Sequence, residues 1–423
     1  MTRYVPLKRV AQIRYGLGQP PPLSEDGVPI IRATNIFRGK IDEANLLRAH
    51  LGDLPLDRAP LLREGEILVV RSGAYTGDSA RITHDWAGSA PGYDLRLTPQ
   101  TIDSRFAAYV LLSTPCLDQI NLASSRAAQP HLNAEELGNV TLWLPPSEEQ
   151  RRIANFLDIE TARIDNLVRT EKRILELLHE RRIAGVVMAV SGSGHTDRRP
   201  SSLTWLESIP QSWQEVRLNL LARMGSGHTP SRSHPEWWEN CTIPWITTGE
   251  VKQVRDDRLE EIYETREKIS EIGLANSAAE LHPAGTVVLC RTASAGYSAV
   301  MGTDMATSQD FVTWTCGPKL DPYYLLWCLR AMRPDLLGRL AMGSTHKTIY
   351  VPDLQMLRIP LPPTQEQHQI VEQIRRQNAQ IDRLVDAVKR QLDLLAERRQ
   401  ALITVAVTGQ FDVSTASGRG VVE

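Results

Sequence analysis

With 423 residues, 42% of them hydrophobic and 23% charged, the chain has the size and balance of a soluble protein of two domains, each with its own core. A formal net charge of −2 excludes a uniformly basic nucleic-acid binder, but not a local basic groove or a complex whose other subunits supply most phosphate contacts. No run approaches the roughly 18 apolar residues of a membrane span, Met1-Thr2-Arg3-Tyr4-Val5-Pro6 lacks a signal peptide's apolar stretch, and Cys116, Cys241, Cys290, Cys316 and Cys328 form no Cys-x-x-Cys pair, so reduced, buried thiols in a cytoplasmic protein are expected.

In chain order, the first landmark is a Gly/Pro turn at Gly16-Leu17-Gly18-Gln19-Pro20. Pro29-Ile30-Ile31 reads as a short strand opening into the polar residues Arg32, Thr34 and Asn35. Gly65-Glu66-Ile67-Leu68-Val69-Val70-Arg71 reads as a turn, a buried strand and an arginine where the strand emerges. The loop after it, Ser72 to Gly77, is small enough to let backbone approach a ligand. A helix over about 103–122 leads into a polar loop carrying Arg126, Gln129 and His131. These residue types suit phosphates and base edges, and equally suit a solvated, salt-bridged surface.

Pro145-Pro146 then stops the chain, and Ser147 is positioned as the cap of a helix, with Gln150 at capping-box spacing. This helix predicts a rod of roughly 60 Å, ending near residue 190. Ser191 to Ser202 has linker composition. A second module opens with Trp205, Trp213, Trp237, Trp238 and Trp245, read as core packing rather than base stacking. Its landmarks repeat those of the first: Pro244-Trp245-Ile246 opens into Thr247 and Thr248, and Gly285 to Cys290 is a strand ending at Arg291 and Thr292. A helix over about 321–340 precedes a loop with Thr345, His346, Lys347 and Thr348, then Pro362-Pro363 and a second long helix capped by Thr364, with Gln367 at the same spacing.

The two long helices are copies. Leu144-Pro145-Pro146-Ser147-Glu148-Glu149-Gln150 returns 217 positions later as Leu361-Pro362-Pro363-Thr364-Gln365-Glu366-Gln367, and Ile164-Asp165, Glu180-Arg181-Arg182 and Gly192 recur as Ile381-Asp382, Glu397-Arg398-Arg399 and Gly409. Ile164, Val168, Glu171, Leu175 and Leu178 follow steps of four and three, as do Ile381, Val385, Val388, Leu392 and Leu395. That is a coiled-coil seam, with Glu160 and Gln377 expected as its polar members. The copies are expected to pair antiparallel. The organisation is therefore a module over 1–146, a helical spacer over 147–190, a linker over 191–202, a second module over 203–363, a spacer over 364–408 and a loose tail over 409–423. The Glu-Arg-Arg runs read as solvated faces.

These residues give the chain a resemblance, over nearly its whole length, to the DNA-specificity subunit of Type I restriction–modification systems. It rests on the duplicated Leu-Pro-Pro-x-x-Glu-Gln rods and on Gly225-Ser226-Gly227-His228-Thr229-Pro230-Ser231 leading to Ile243-Pro244-Trp245-Ile246, of which Gly16 to Pro20 is a degenerate form. The resemblance implies an α+β fold: two α/β target-recognition domains separated by a pair of long antiparallel coiled-coil helices, with a pseudo-two-fold internal repeat. Each domain would read half of a split, asymmetric double-stranded DNA target. The helices would set the gap, with half-sites about one turn, roughly 34 Å, apart. Ile164, Val168, Leu175, Leu178, Ile381, Val385, Leu392 and Leu395 would serve as the spacer and partner-docking face. Two modification subunits would bind S-adenosylmethionine and methylate adenine N6, and restriction subunits would join where the system has them. The chain itself would bind no cofactor.

The residues also weigh against an active site here. There is no Asp-Pro-Pro-Tyr or Asn-Pro-Pro-Tyr/Phe methylation element, no Gly-x-x-x-x-Gly-Lys-Ser/Thr loop and no His-x-x-x-His pair. A hydrolase assembled from distant residues, a coiled-coil scaffold without a DNA role and an inactive remnant remain as alternatives at this level.

Overall fold

The structure, a computed structural model, describes residues 4–124, 130–341 and 347–413. The chain forms two compact units, Met1–Lys172 with Arg390–Glu423, and Arg173–Lys389. The boundary falls inside both long helices, Ser147–Val190 and Thr364–Val407, so each unit holds one end of each.

Both units are built on the same α+β frame. In the first, Ala11–Tyr15, Leu95–Pro99, Ile67–Val69 and Ser79–Arg81 form an antiparallel sheet in that spatial order. In the second the order is Ala222–Ser226, Phe311–Cys316, Val287–Cys290, Ser298–Met301, with Glu261–Ile262 added in parallel at the edge. A smaller sheet also repeats: Val28–Ile31 lies between antiparallel Leu47–Ala49 and parallel Ala90–Pro91, and Ile243–Ile246 lies between antiparallel Glu267–Ile269 and parallel Ala306–Thr307.

The all-apolar central strand follows from the two cores it feeds. Ile67 and Val69 face a cluster that includes the long helices, while Leu68 and Val70 face a second cluster with Ile31 and Ile82. Val287 and Leu289, against Val288 and Cys290, divide in the same way. A strand alternates faces every residue, so burial on both faces demands an unbroken hydrophobic run.

Within each unit the helix ends pack antiparallel. Ile153, Ala154 and Leu157 share a core with Ile403, Ala406 and Val407 in the first, and Val186, Ala189 and Val190 share one with Ile370, Val371 and Ile374 in the second. Ile164, Leu178, Ile381 and Leu395 are buried, and Val168, Leu175, Val385 and Leu392 half-buried. The polar seam positions differ from expectation. Besides Glu171, buried at 8% exposure where the seam spacing puts it, they are Thr161 and Asn378, at 5% and 7%, each one residue beyond Glu160 and Gln377. Ile153, Leu157, Thr161 and Ile164 advance by four, four and three, so the stripe drifts round the helix here and leaves Glu160 half-buried beside the seam, paired with Arg163.

Gln150 and Gln367 also differ from the capping-box expectation. Each is buried and pins its helix to the module before it: Gln150 accepts from the Asp103 N–H (2.8 Å) and donates to the Pro145 carbonyl (2.8 Å). Gln367 accepts from the Asp321 N–H (2.8 Å) and donates to the Pro362 (2.9 Å) and Lys319 (3.0 Å) carbonyls. The pinned residues are the N-caps of the helices Ser104–Leu111 and Pro322–Asp335. The helix expected over about 103–122 is in fact two, with Thr114–Ser124 following, because Pro115 offers no N–H to a continuous ladder.

Both long helices end alike. Gly192 and Gly409 are left-handed (φ 66° and 72°), and the residue after each, Ser193 or Gln410, donates back five residues, to Met188 (3.1 Å) or Val405 (3.0 Å). This is a Schellman stop. A Cβ at either glycine would lie within 3 Å of a tryptophan ring, Trp213 or Trp143.

The Glu-Arg-Arg runs are not simply solvated. Arg182 is buried on Asp382 in the second unit, and its repeat counterpart Arg399 lies on Asp165 at 2.6 Å in the first. Cys116, Cys290 and Cys328 are buried, and burial pushes each thiol up to about 12; Cys241 and Cys316 are partly exposed.

Candidate nucleic-acid interface

In the first unit the central strand delivers Arg71 to an exposed edge. Its guanidinium lies between the rings of Tyr15 (4.8 Å) and Tyr93 (4.4 Å), both about half exposed, and Nη2 meets His131 Nε2 at 2.9 Å. The Arg71 N–H donates to Asp94 Oδ1 at 3.2 Å, and its carbonyl accepts from Leu132 at 2.7 Å. A β-bridge joins Ser72 to His131. Arg71, Ser72 and His131, scattered in sequence, therefore meet at one place. A cation held flat between two aromatic faces is pre-ordered at little entropic cost.

Tyr15, Tyr93 and Asp94 belong to this site although sequence reasoning missed them. Tyr15 ends the strand at 11–15 and Tyr93-Asp94 form the bend just before that at 95–99, and the pairing of those two strands brings them together. Asp94 is 3% exposed, and burial pushes its carboxyl up to about 6 against the opposing N–H and charge of Arg71. Arg32, Thr34, Ser72, Tyr93 and Asp94 border a cavity of about 330 Å³ whose floor is apolar.

Asn35 is a correction. It is fully buried and donates to the carbonyls of Asp42 and Ala44 (3.0 Å each), so it holds a loop instead of facing solvent. Its counterpart Glu250 is likewise buried, accepting from the Arg266 N–H at 2.8 Å. Arg32 donates to the Asn45 carbonyl at 3.0 Å, and Thr34 is exposed.

The second unit dresses the same frame differently. Arg291 also follows the central strand, and its carbonyl accepts from Ile349 at 2.8 Å as that of Arg71 does from Leu132. Its Nε, however, donates to the Gln309 carbonyl at 3.0 Å, and among the described residues no aromatic ring lies over it. The Thr292 hydroxyl is engaged by Asp310. Thr247, Thr248 and Thr348 are half-buried and Lys347 is exposed. Arg126, Gln129, Thr345 and His346 lie outside the described residues. Among the described residues no group of three or more His, Cys, Asp or Glu side chains is placed to hold a metal ion, and no helix is long and apolar enough to cross a membrane.

Comparison with known proteins gives a consistent result. The sequence model of the family described as the Type I restriction modification DNA specificity domain matches twice, over residues 19–179 and 210–390. The type I restriction enzyme EcoBI specificity subunit of Escherichia coli is 22% identical, with 92% of this chain covering 81% of that protein. A chain from the solved structure of a type I R-M system superposes with a TM-score of 0.69 at 19% identity, covering 97% of this chain and 98% of that one. The HsdS subunit from Thermoanaerobacter tengcongensis superposes with a TM-score of 0.54 at 19% identity, covering 97% of each. At these identities the two structures speak for the fold.

Proposed function

The chain belongs to the Type I restriction modification DNA specificity family, and on that premise we propose that its two units read the two halves of a split, asymmetric double-stranded DNA target for a modification complex. The observation that carries this reading is one frame with two edges. Arg71 and Arg291 leave equivalent strands, but tyrosines and His131 surround the first while the Gln309 carbonyl and the Asp310–Thr292 pair surround the second. The shared frame presents the two arginines in the same way, and unlike edges suit unlike half-sites. Arg71, Ser72 and His131, with Arg32 and Thr34, are the proposed contacts of the first unit; Arg291, Lys347 and Thr348, with Thr247 and Thr248, are those of the second.

The chemistry is assigned to partners. Modification subunits carrying S-adenosylmethionine would methylate adenine N6 after the base leaves the stack, and restriction subunits, where present, would cut unmodified DNA in the cytoplasm. A complement of two modification subunits is supported by the outer faces of the long helices. The first unit exposes Leu167 and Leu394, and the second exposes their repeat counterparts Leu384 and Leu177, at 45–63%. Exposed leucines repeated on both units suit two equivalent protein contacts. The inner seam residues Ile164, Leu178, Ile381 and Leu395 are occupied by intramolecular packing.

The test is single-molecule methylome sequencing of host cells with and without the gene. Loss of one split adenine motif on deletion is the expected result. An unchanged methylome in cells shown to express both this chain and its modification subunit would refute the reading.

A further inference from the structure

In the second unit, a cavity of about 500 Å³ opens where the long helices meet the module. Leu175, Leu178, Ile183 and Val385 supply apolar wall, Tyr297 and Trp327 supply aromatic wall, and Arg182, Arg255, Arg258, Arg330 and Arg333 converge on it. The arginines are partly matched by acids: Asp257 lies 2.7 Å from Arg333, and Asp382 pairs with Arg182 and Arg258. The matching is incomplete at the most buried groups. The Arg182 side chain is 9% exposed, and its Nη1 makes no hydrogen bond to protein; Arg330, 2% exposed, donates its Nη groups to the carbonyls of Asp257, Leu259 and Ser298, while its Nε, 3.4 Å from Asp257 Oδ1, makes none. Burial pulls the Arg330 guanidinium down to about 10, opposed by Asp257 and reinforced by the charges of Arg333 and Arg182.

The internal repeat supplies a control. In the first unit Asp165 takes Lys40 (2.8 Å) and Arg399, as Asp382 takes Arg258 and Arg182. The residue before Lys40 is Gly39 at positive φ (88°), so close to Leu112 that an added Cβ would sit 2.8 Å from its Cδ1. The residue before Arg258 is Asp257, also at positive φ (58°), a left-handed conformation that Asp adopts more readily than most residues with a side chain. At this junction the first repeat sets a glycine against Leu112, whereas the second sets an aspartate beside buried guanidinium groups and an open space. Buried, incompletely bonded cations are costly unless an anion completes them.

We propose that this cavity binds a small phosphate monoester, its head on the arginine cluster about Arg182 and its apolar or aromatic body against the aliphatic and aromatic walls. A doubly charged, tetrahedral head suits guanidinium groups that arrive from several directions, which a planar carboxylate meets less well. The volume exceeds what inorganic phosphate fills, so the body contributes to binding. The inference does not depend on the DNA reading.

Calorimetric titration of the full-length chain with phenyl phosphate, at fixed ionic strength, tests it. Inorganic phosphate and phenol serve as head-only and body-only probes. Phenyl phosphate should bind one per chain, about tenfold or more tighter than either, and Arg182→Met should weaken it by about tenfold or more. Arg399→Met, which removes the repeat-related ion pair, should leave it intact. Should Arg182→Met fail to fold, Val385→Trp, at a half-exposed wall position, should abolish binding by filling the space. Absence of phenyl phosphate binding, equal losses in Arg182→Met and Arg399→Met, or full binding in Val385→Trp would each overturn the proposal. So would a Val385→Trp variant that loses only its modification subunit while the unmodified protein ignores phenyl phosphate, because the cavity would then be a protein-docking groove.

Discussion

Replacing Gln367 by Glu separates two accounts of the motif that starts each long helix. A capping box favours Glu at this spacing, and the change would then be neutral or stabilising by a few tenths of a kcal/mol. The buried pin predicts the reverse. Gln367 donates to the carbonyls of Pro362 and Lys319 and is fully buried, so Glu would lose two hydrogen bonds and turn a carboxylate toward two oxygens. At about 1 kcal/mol per bond, plus a similar sum for burying charge, the loss at pH 8 should be about 4 kcal/mol. Gln150→Glu forfeits the single bond donated to Pro145 and should cost about 3 kcal/mol. Both deficits should shrink toward pH 5, where a protonated Glu regains a donor. Urea unfolding followed by tryptophan fluorescence resolves the units: Trp86 and Trp143 report on the first and the remaining tryptophans on the second. Two Glu variants within about 0.5 kcal/mol of the parent would refute the pin.

Asp94→Asn should stabilise the first unit by about 2 kcal/mol at pH 8, because the ionised carboxyl is buried and Asn can still accept from the Arg71 N–H. Its folded-state value of about 6 lies above the ordinary 3.8, so the parent should gain stability as pH falls from 7 toward 4, and the variant should lose that slope in thermal melts. Lys347→Ala should weaken DNA binding uniformly across sequences and lower the salt-dependence slope by about one, measured by fluorescence anisotropy with the modification subunit present. Tyr93→Leu should release one face of the Arg71 clamp and reduce affinity by about threefold to fivefold, with the loss confined to the half-site read by the first unit.

The repeat and the positions of both long helices were legible because each is a local signal: a proline stop and a periodic stripe. The paired central strands were legible as apolar runs for the same reason. The polar seam was misplaced by one residue at Glu160 because period counting assumes a constant drift, whereas two successive steps of four carry the stripe to Thr161. Gln150 was misread because its partner, the Asp103 N–H, lies 47 residues away, and a short-range rule has no access to it. Asn35 had the chemistry of a reader, but its donors are consumed by a neighbouring turn. The Tyr15–Arg71–Tyr93 clamp depends on strand register, which becomes visible only when the sheet is assembled.

The sharing of the long helices sets the order in which the chain can mature on the ribosome. The core of the first unit holds Ile153, Ala154 and Leu157 from early in synthesis, and it is completed by Ile403, Ala406 and Val407. The ion pair Arg399–Asp165 and the hydroxyl contact Thr114–Thr404 close spans of 234 and 290 residues. At about 5–20 residues per second, the intervening chain takes roughly 10–60 s to emerge. For that interval the nascent first unit presents an uncovered aliphatic stripe, and the second unit, whose helix ends lie within Arg173–Lys389, can close before it. A nascent chain stalled short of residue 400 should therefore depend on chaperones through its first half, which was made earliest and is sealed last.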